Sequence, residues 1–341
     1  MIELLHDQLT FRFPEVHEKA FCHIEFQRTL RIPDDNQPYP LPPGLGQFPL
    51  SHVDDYADRL PASWRKHGGV FIPMYQSEAL WINFSGDYHS GYPFAIKVAA
   101  GKINAVSGQP WSNELDPDSQ DYVVIPGQPW LDGFNVTEDY IRQFIAMPLG
   151  EGFTAEEQIT GEGEYGGLQI IVYPMKYEEY IERFEKPALD SPPLEEDLLL
   201  MDMPAFCRKS EGPPVEMGLA PGGLMRQKIV EDEFGLDVWD QENGLRCFIH
   251  LANSEQYRAI TGHRPPHTPP SAKQYTDAGL PWFDYYDDQP ALAGSVALGK
   301  LTSLAAMTIQ KGKSLLGDNQ PVEPKIIKQV RRGKTVRDGD F

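Results

Sequence analysis

The chain has 341 residues, a formal net charge of −20 and 40% hydrophobic residues. A balance this acidic excludes a nucleic-acid groove, which needs a basic stripe, and disfavours an anionic membrane surface. Thirty-one prolines and thirty glycines point to short strands and turns rather than long helices.

At roughly 150 residues per domain, the length predicts two domains. The three cysteines, Cys22, Cys207 and Cys247, include no C-x-x-C pair, so neither a zinc ribbon nor a redox motif is expected. Histidines without ligand spacing add to the expectation of no metal and no cofactor. The N-terminus lacks a basic region followed by an apolar core, and no apolar run approaches the ~18 residues that cross a bilayer. A soluble, cytoplasmic protein without a membrane span is expected.

Gln8 to Phe13 alternates, with Leu9, Phe11 and Phe13 on one face. Phe21 to Leu30 puts Cys22, Ile24, Phe26 and Arg28 on one face of a second strand. Asp34 to Phe48 is an irregular proline- and glycine-rich wrap anchored by Tyr39, Leu41, Leu45 and Phe48. Ser51 to Asp54 matches a capping box, followed by helical spacing and a second short helix from Pro61. Strands are predicted at Val70–Met74, Ala79–Phe84, Phe94–Ala99 and Lys102–Val106, in an all-β meander.

Two four-residue segments are identical, Gly108-Gln-Pro-Trp111 and Gly127-Gln-Pro-Trp130. Their tryptophans either serve as stacking platforms for a glycan or end strands and plug the edge of a β core. A strand, Tyr122–Ile125, lies between them.

Ile141 to Met175 is the stretch around which the N-terminal half is organised. Ile141, Phe144, Ile145 and Met147 mark a buried strand that Pro148 ends. Thr154 to Glu157 matches a capping box. Gly161, Gly163, Gly166 and Gly167 make a permissive loop before the strand Leu168–Tyr173. Glu151, Glu156, Glu157, Glu162 and Glu164 lie on these glycine loops. They serve either a ligand, through general acid/base work or ion binding, or only solvation and a helix cap. Calcium-loop spacing is absent.

Pro187 to Gly218 has proline pairs, an acidic patch and no period, as in an interdomain linker. Cys207 beside Arg208 and Lys209 has no histidine nearby to activate it. Gly222-Gly223-Leu224 echoes Gly166-Gly167-Leu168, and each triplet leads a predicted strand. Arg246–Leu251 is a strand, and Asn253 caps a helix that stops at Gly262. His263 and His267 are separated by two prolines and cannot share a helix face. Ser271–Ala278 is a short helix. Pro281 to Asp288 is an aromatic–acidic cluster that either closes a core or binds a cation or basic peptide. Ala291 to Leu316 has a broadly helical pattern. Beyond Gly317 the chain turns basic, as in a flexible tail.

Residues 94–111 (FAIKVAAGKINAVSGQPW), 121–134 (DYVVIPGQPWLDGF), 141–169 (IRQFIAMPLGEGFTAEEQITGEGEYGGLQ) and 278–288 (AGLPWFDYYDD) resemble a family of uncharacterised bacterial and fungal proteins. The resemblance spans about Phe94 to Asp288. It implies continuity of the two halves and no particular chemistry. Some members carry an "integral membrane protein" label, which the hydropathy of this chain does not match.

The expected protein is therefore α+β and β-rich. A β-sandwich or barrel-like domain (1–186) and a smaller α+β domain (219–317) flank a Pro-rich acidic linker (187–218), and a basic tail (318–341) follows. No nucleotide-binding, zinc-protease or nucleophile-elbow motif is present. A non-catalytic binding or assembly module is expected, with a protein or small polar ligand as partner. The alternative is a carboxylate-dependent hydrolase acting on a neutral polar substrate such as a glycan. Glu151, Glu157, Glu162, Glu164, Trp111 and Trp130 are the candidate ligand residues.

Overall fold

Alternation in the first strands sets one face inward: Leu9, Phe11 and Phe13 are fully buried, as are Cys22, Ile24 and Phe26. The computed structural model describes residues 1–86, 91–185, 216–285, 289–315 and 318–330. In chain order the strands are β1 (Ile2–Leu5), β2 (Gln8–Arg12), β3 (Phe21–Thr29), β4 (Gly44–Gln47), β5 (Ser51–His52), β6 (Val70–Pro73), β7 (Ala79–Gly86), β8 (Phe94–Ala100) and β9 (Ile103–Asn104). They continue as β10 (Val123–Ile125), β11 (Trp130–Leu131), β12 (Gly133–Asn135), β13 (Tyr140–Pro148), β14 (Leu168–Pro174), β15 (Met217–Arg226), β16 (Leu245–Ala252), β17 (Trp282–Tyr285) and β18 (Ile327–Val330). Short helices intervene: α1 (Ala62–His67), α2 (Ala155–Thr160), α3 (Tyr177–Tyr180), α4 (Ser254–Thr261), α5 (Ala272–Asp277), α6 (Val296–Gly299) and α7 (Leu304–Gln310). None is long and apolar enough to cross a membrane.

The protein is β-rich α+β, built on two large sheets. The first has nine strands along the path β1-β2-β3-β7-β13-β12, with β4, β11 and β15 paired at its sides. The second has seven, along β10-β8-β14-β16-β6-β5, with β9 beside β8. One core takes side chains from both, such as Phe26, Ile82 and Phe144 from the first and Ile96, Val98, Ile170 and Ile249 from the second. Every residue of β8 and β14 is buried, as in strands covered on both faces.

Several expectations are corrected. Residues 187–215 lie outside the described residues, with Cys207 among them. The chain beyond them returns to the same sheets: β15 pairs with β13, and β16 with β14. Strands on either side of the expected linker thus share both sheets and the main core, so the described residues are not split there into separately cored units. β15 begins at Met217, inside the expected linker, and Gly222-Gly223 lies within it rather than ahead of it. The reason is close approach. A Cβ on Gly222 would lie 2.5 Å from Ile145 Cγ1, and one on Gly223 would lie 2.4 Å from the Pro33 carbonyl oxygen.

Ser51 and His52 form β5 against β6 instead of a capping box, and the helical turn that follows has Val53 at its N-cap. Gly44–Gln47, within the expected irregular wrap, is β4 on the edge of β3. The helical pattern after Ala291 divides into α6 and α7, each started by a serine, Ser295 or Ser303, that accepts from the amide three residues on. Ile327–Val330, within the expected flexible tail, is β18, parallel to β17; residues 331–341 lie outside the described residues. By contrast, the Thr154–Glu157 capping box, the Gly161 left-handed cap and the Asn253 cap are all present.

Two ion pairs sit inside. Arg28 Nη2 is 2.5 Å from Glu78 Oε1, and Lys97 Nζ is 2.5 Å from Asp121 Oδ2. Lys97 is 1% exposed, on a strand buried throughout. Removing one partner of such a pair strands the other charge in low dielectric, so Asp121→Ala should lower stability by about 3–5 kcal/mol, read by denaturant unfolding. Sharing of both sheets yields a second expectation. A protease site inserted near residue 200 and cut should leave two fragments that co-elute and retain the intact far-ultraviolet spectrum. Fragments that separate without denaturant would show two independent units.

Candidate functional site

Beyond β15 the chain runs extended past residues 127–132, and side-chain amides stitch the two segments together. A glutamine amide offers a donor and an acceptor, as a peptide unit does, and can complete a ladder. Gln227 Oε1 accepts from the Asp132 amide at 2.9 Å, and its Nε2 donates to the Trp130 carbonyl at 3.1 Å. Gln128 works from the other side. Its Oε1 accepts from the Val230 amide at 2.9 Å, and its Nε2 donates to the carbonyls of Trp130 and Lys228 at 3.0 and 3.2 Å. Gln120 repeats the pattern with Asp232 and Val230 at 2.7 and 3.1 Å.

Over this seam opens a cleft of about 500 Å³. Trp130, Tyr140 and Tyr285 contribute its rings, and the whole Gly127-Gln-Pro-Trp130 segment lines it. The strand register sets Tyr140 opposite Arg226. Arg226 and Lys228, two apart, face the cleft, while Gln227 between them is buried. Each cation meets a carboxylate also in the lining: Arg226 Nη1 is 3.7 Å from Asp284 Oδ2, and Lys228 Nζ is 3.7 Å from Asp139 Oδ1. Gln329, from β18, donates to Asp284 Oδ2 at 3.1 Å. The Trp130 and Tyr285 rings meet edge to face, with centroids 4.8 Å apart at 77°. A further cavity, about 10 Å³ between Arg31 and Asp34, has room for no more than one water.

Asp132, directly after β11, is buried, and its Oδ2 has no hydrogen-bond partner. Burial pushes its carboxyl up to about 7, against the opposing side-chain hydrogen bonds of Trp130 and Gln227.

The six residues singled out in the sequence do not converge. Trp130 lines the cleft, and none of the other five does. Trp111 is half-buried against the core, with its indole nitrogen donating to Asn113 Oδ1 at 3.0 Å and Lys97 Nζ 5.7 Å from its ring centre. Glu157 is committed to the helix start, accepting from the Gly152 and Thr154 amides at 2.8 and 3.1 Å and from the Thr154 hydroxyl at 2.7 Å. Glu151 is bonded by Lys313 Nζ at 2.7 Å. Glu164 lies 3.9 Å from Lys102, whose ammonium stands 3.7 Å from the Tyr165 ring centre. Glu162 is exposed.

The loop glycines have steric reasons. Cβ atoms on Gly166 and Gly167, both at positive φ, would lie 2.5 and 2.4 Å from the carbonyl oxygens of Met217 and Ile249. Buried Glu156 accepts from the Gly166 amide at 3.2 Å, and burial raises its pKa. Among the described residues no group of three or more His, Cys, Asp or Glu side chains is arranged to hold a metal ion. Cys22 and Cys247 are buried, and burial pushes the Cys247 thiol up to about 12.

Sequence reasoning missed Tyr140, Asp139, Arg226 and Lys228, which belong to strand ends with no motif of their own. Two signals pointed at the cleft: the second Gly-Gln-Pro-Trp segment and the aromatic–acidic cluster that supplies Asp284 and Tyr285. No family model matches the chain, and neither a curated protein nor a solved structure matches it.

The raised Asp132 carboxyl links stability to pH. The folded state holds this proton up to about pH 7, whereas the unfolded chain loses it near the ordinary value of about 3.9. Its penalty is therefore absent below about pH 4 and grows to roughly 4 kcal/mol as pH rises through 7. Asp132→Asn should remove this slope and be the more stable protein at pH 8. Unfolding curves of equal slope for both proteins between those limits would contradict a buried titrating acid.

Proposed function

We propose that the protein is a non-catalytic binding module whose ligand surface is the Trp130 cleft and whose ligand is a small polar molecule. One observation carries this reading: a cleft of about 500 Å³ joins three aromatic rings to two pairs of opposite charge. The volume falls within the usual span for small-molecule sites, about 300–1,000 Å³. Rings with a few fixed polar groups are the usual composition of such a site. The glutamine seam ties the cleft wall with paired amide hydrogen bonds, and a wall already hydrogen-bonded lowers the ordering cost of binding.

The acidic glycine loops are less suited to the role. Glu157 and Glu156 are bound to local backbone, and the glycines are demanded by neighbouring carbonyls. A hydrolase acting in the same cleft would draw on Asp139 and Asp284. Both already face cations, an arrangement that orients a bound molecule without requiring a reaction.

The two repeated tryptophans provide the test. A panel of neutral sugars, amino acids and nucleosides is screened against the full chain by ligand-observed NMR. At least one class should bind saturably, and Trp130→Ala should weaken it at least about tenfold, the loss of one well-placed aromatic contact. Trp111→Ala should leave it unchanged. Equal binding by wild type and Trp130→Ala, or no binding from any class, would overturn the proposal.

A further inference from the structure

The lining of the cleft constrains the chemistry of its ligand beyond polarity. Among the described residues four charged groups contribute, Arg226, Lys228, Asp139 and Asp284, and their formal charges cancel. This balance among the described lining residues stands on a chain of net charge −20. A cationic ligand would find Asp139 and Asp284 already opposed by cations, and an anionic one would find Arg226 and Lys228 already opposed by carboxylates. Either would have to break a pair and leave one member without its counter-charge.

The spacing within each pair matters as well. At 3.7 Å both are longer than a direct hydrogen bond, which for N–H···O lies at about 2.7–3.2 Å. Each therefore offers a donor and an acceptor side by side. A hydroxyl group is itself both donor and acceptor, and so engages both halves of such a pair at once. Ammonium and carboxylate groups match only one half.

Two of the lining glutamines, Gln128 and Gln227, are engaged in the cleft wall. Gln128 and Gln227 give both ends of their amides to the seam. The charged groups and rings described in the lining are the two mixed-charge pairs with Trp130, Tyr140 and Tyr285. Trp130 and Tyr285, inclined at 77°, form a corner of apolar surfaces. A molecule with one C–H face and a rim of hydroxyls fits such a corner, because the C–H face loses water against the rings while the hydroxyls span the pairs.

Resting on the reading of this cleft as a small-molecule site, we infer that its ligand is a neutral carbohydrate. The sugar ring stacks on Trp130 in the corner with Tyr285, and its hydroxyls bridge Arg226 to Asp284 and Lys228 to Asp139.

The test titrates the full chain calorimetrically with glucose, galactose, mannose and their 1,4-linked disaccharides. Glucuronate, free amino acids and nucleosides form the comparison set. At least one neutral sugar should bind, with affinity nearly independent of salt, because no net charge is exchanged. Trp130→Ala should cost at least about tenfold and Trp130→Phe distinctly less, since an aromatic face remains. Asp284→Asn and Arg226→Gln should each weaken sugar binding severalfold. Circular dichroism establishes that each variant is folded, and the retained binding of Trp130→Phe separates loss of stacking from loss of fold. Binding of amino acids or nucleosides without any neutral sugar would overturn the carbohydrate assignment and leave the small-molecule site standing. Preference for glucuronate, with strong salt dependence, would overturn the charge-balance reasoning. Silence from every compound would overturn both the assignment and the site.

Discussion

The pairing of β13 with β15 is the interaction on which the rest depends. It runs from Tyr140 opposite Arg226 to Pro148 opposite Met217 and joins chain segments from either side of residues 187–215. On its other side β13 pairs with β7 and β12, so this one strand ties the C-terminal return into the nine-stranded sheet. The register shifts between Arg142 and Phe144, and Gln143 turns fully inward. There its amide donates to the Leu30 carbonyl at 2.9 Å and accepts from the Ile32 amide at 3.1 Å. Such a bulge bends a strand and re-aims its side chains. Gly222 and Gly223 pass the crowded point because neither has a Cβ. Beyond it, β15 delivers Arg226, Gln227 and Lys228 to the cleft.

Polar groups inside this protein serve as connectors. The glutamine seam joins segments 120–132 and 227–232 by amide pairs in place of a continuous backbone ladder. The pairs Arg28–Glu78 and Lys97–Asp121 do the same at shorter sequence range. Glu78 Oε2 also accepts from the Tyr75 amide, and Arg28 Nη2 also donates to the His267 carbonyl. Buried ion pairs add little net stability against a hydrophobic alternative, but each is costly to break. They therefore penalise any packing in which their partners are apart. Asp132 differs in kind: its Oδ2 has no partner, and burial raises its carboxyl well above the usual carboxylate range.

This division separates structure from candidate function. The loops richest in glycine and glutamate are occupied by caps, close carbonyls and surface pairs. The cleft instead uses residues scattered over four strands or strand ends, each unremarkable alone. What they share is one cleft in which rings meet two pairs of opposite charge.

Much of the local structure was legible in sequence. Alternation located β2 and β3, and apolar runs located β6, β8, β13, β14 and β16. Thr154 with Glu157, Ser271 before its helix and Asn253 before Gly262 marked helix ends. These signals act within a few residues, so the chain states them directly. Strand partners, and with them the relation between the two halves, depend on contacts distant in sequence; a proline-rich acidic stretch therefore read as a boundary although the strands beyond it share both sheets. The two Gly-Gln-Pro-Trp segments make the same point. Their four residues are identical, yet Trp111 leans on the core beside Lys97 while Trp130 lines the cleft. By itself the sequence determined turns, caps and the faces of individual strands. Tertiary structure alone decided which of two equal motifs lines the cleft, because only strand register sets Arg226 opposite Tyr140 and brings Asp284 to meet it.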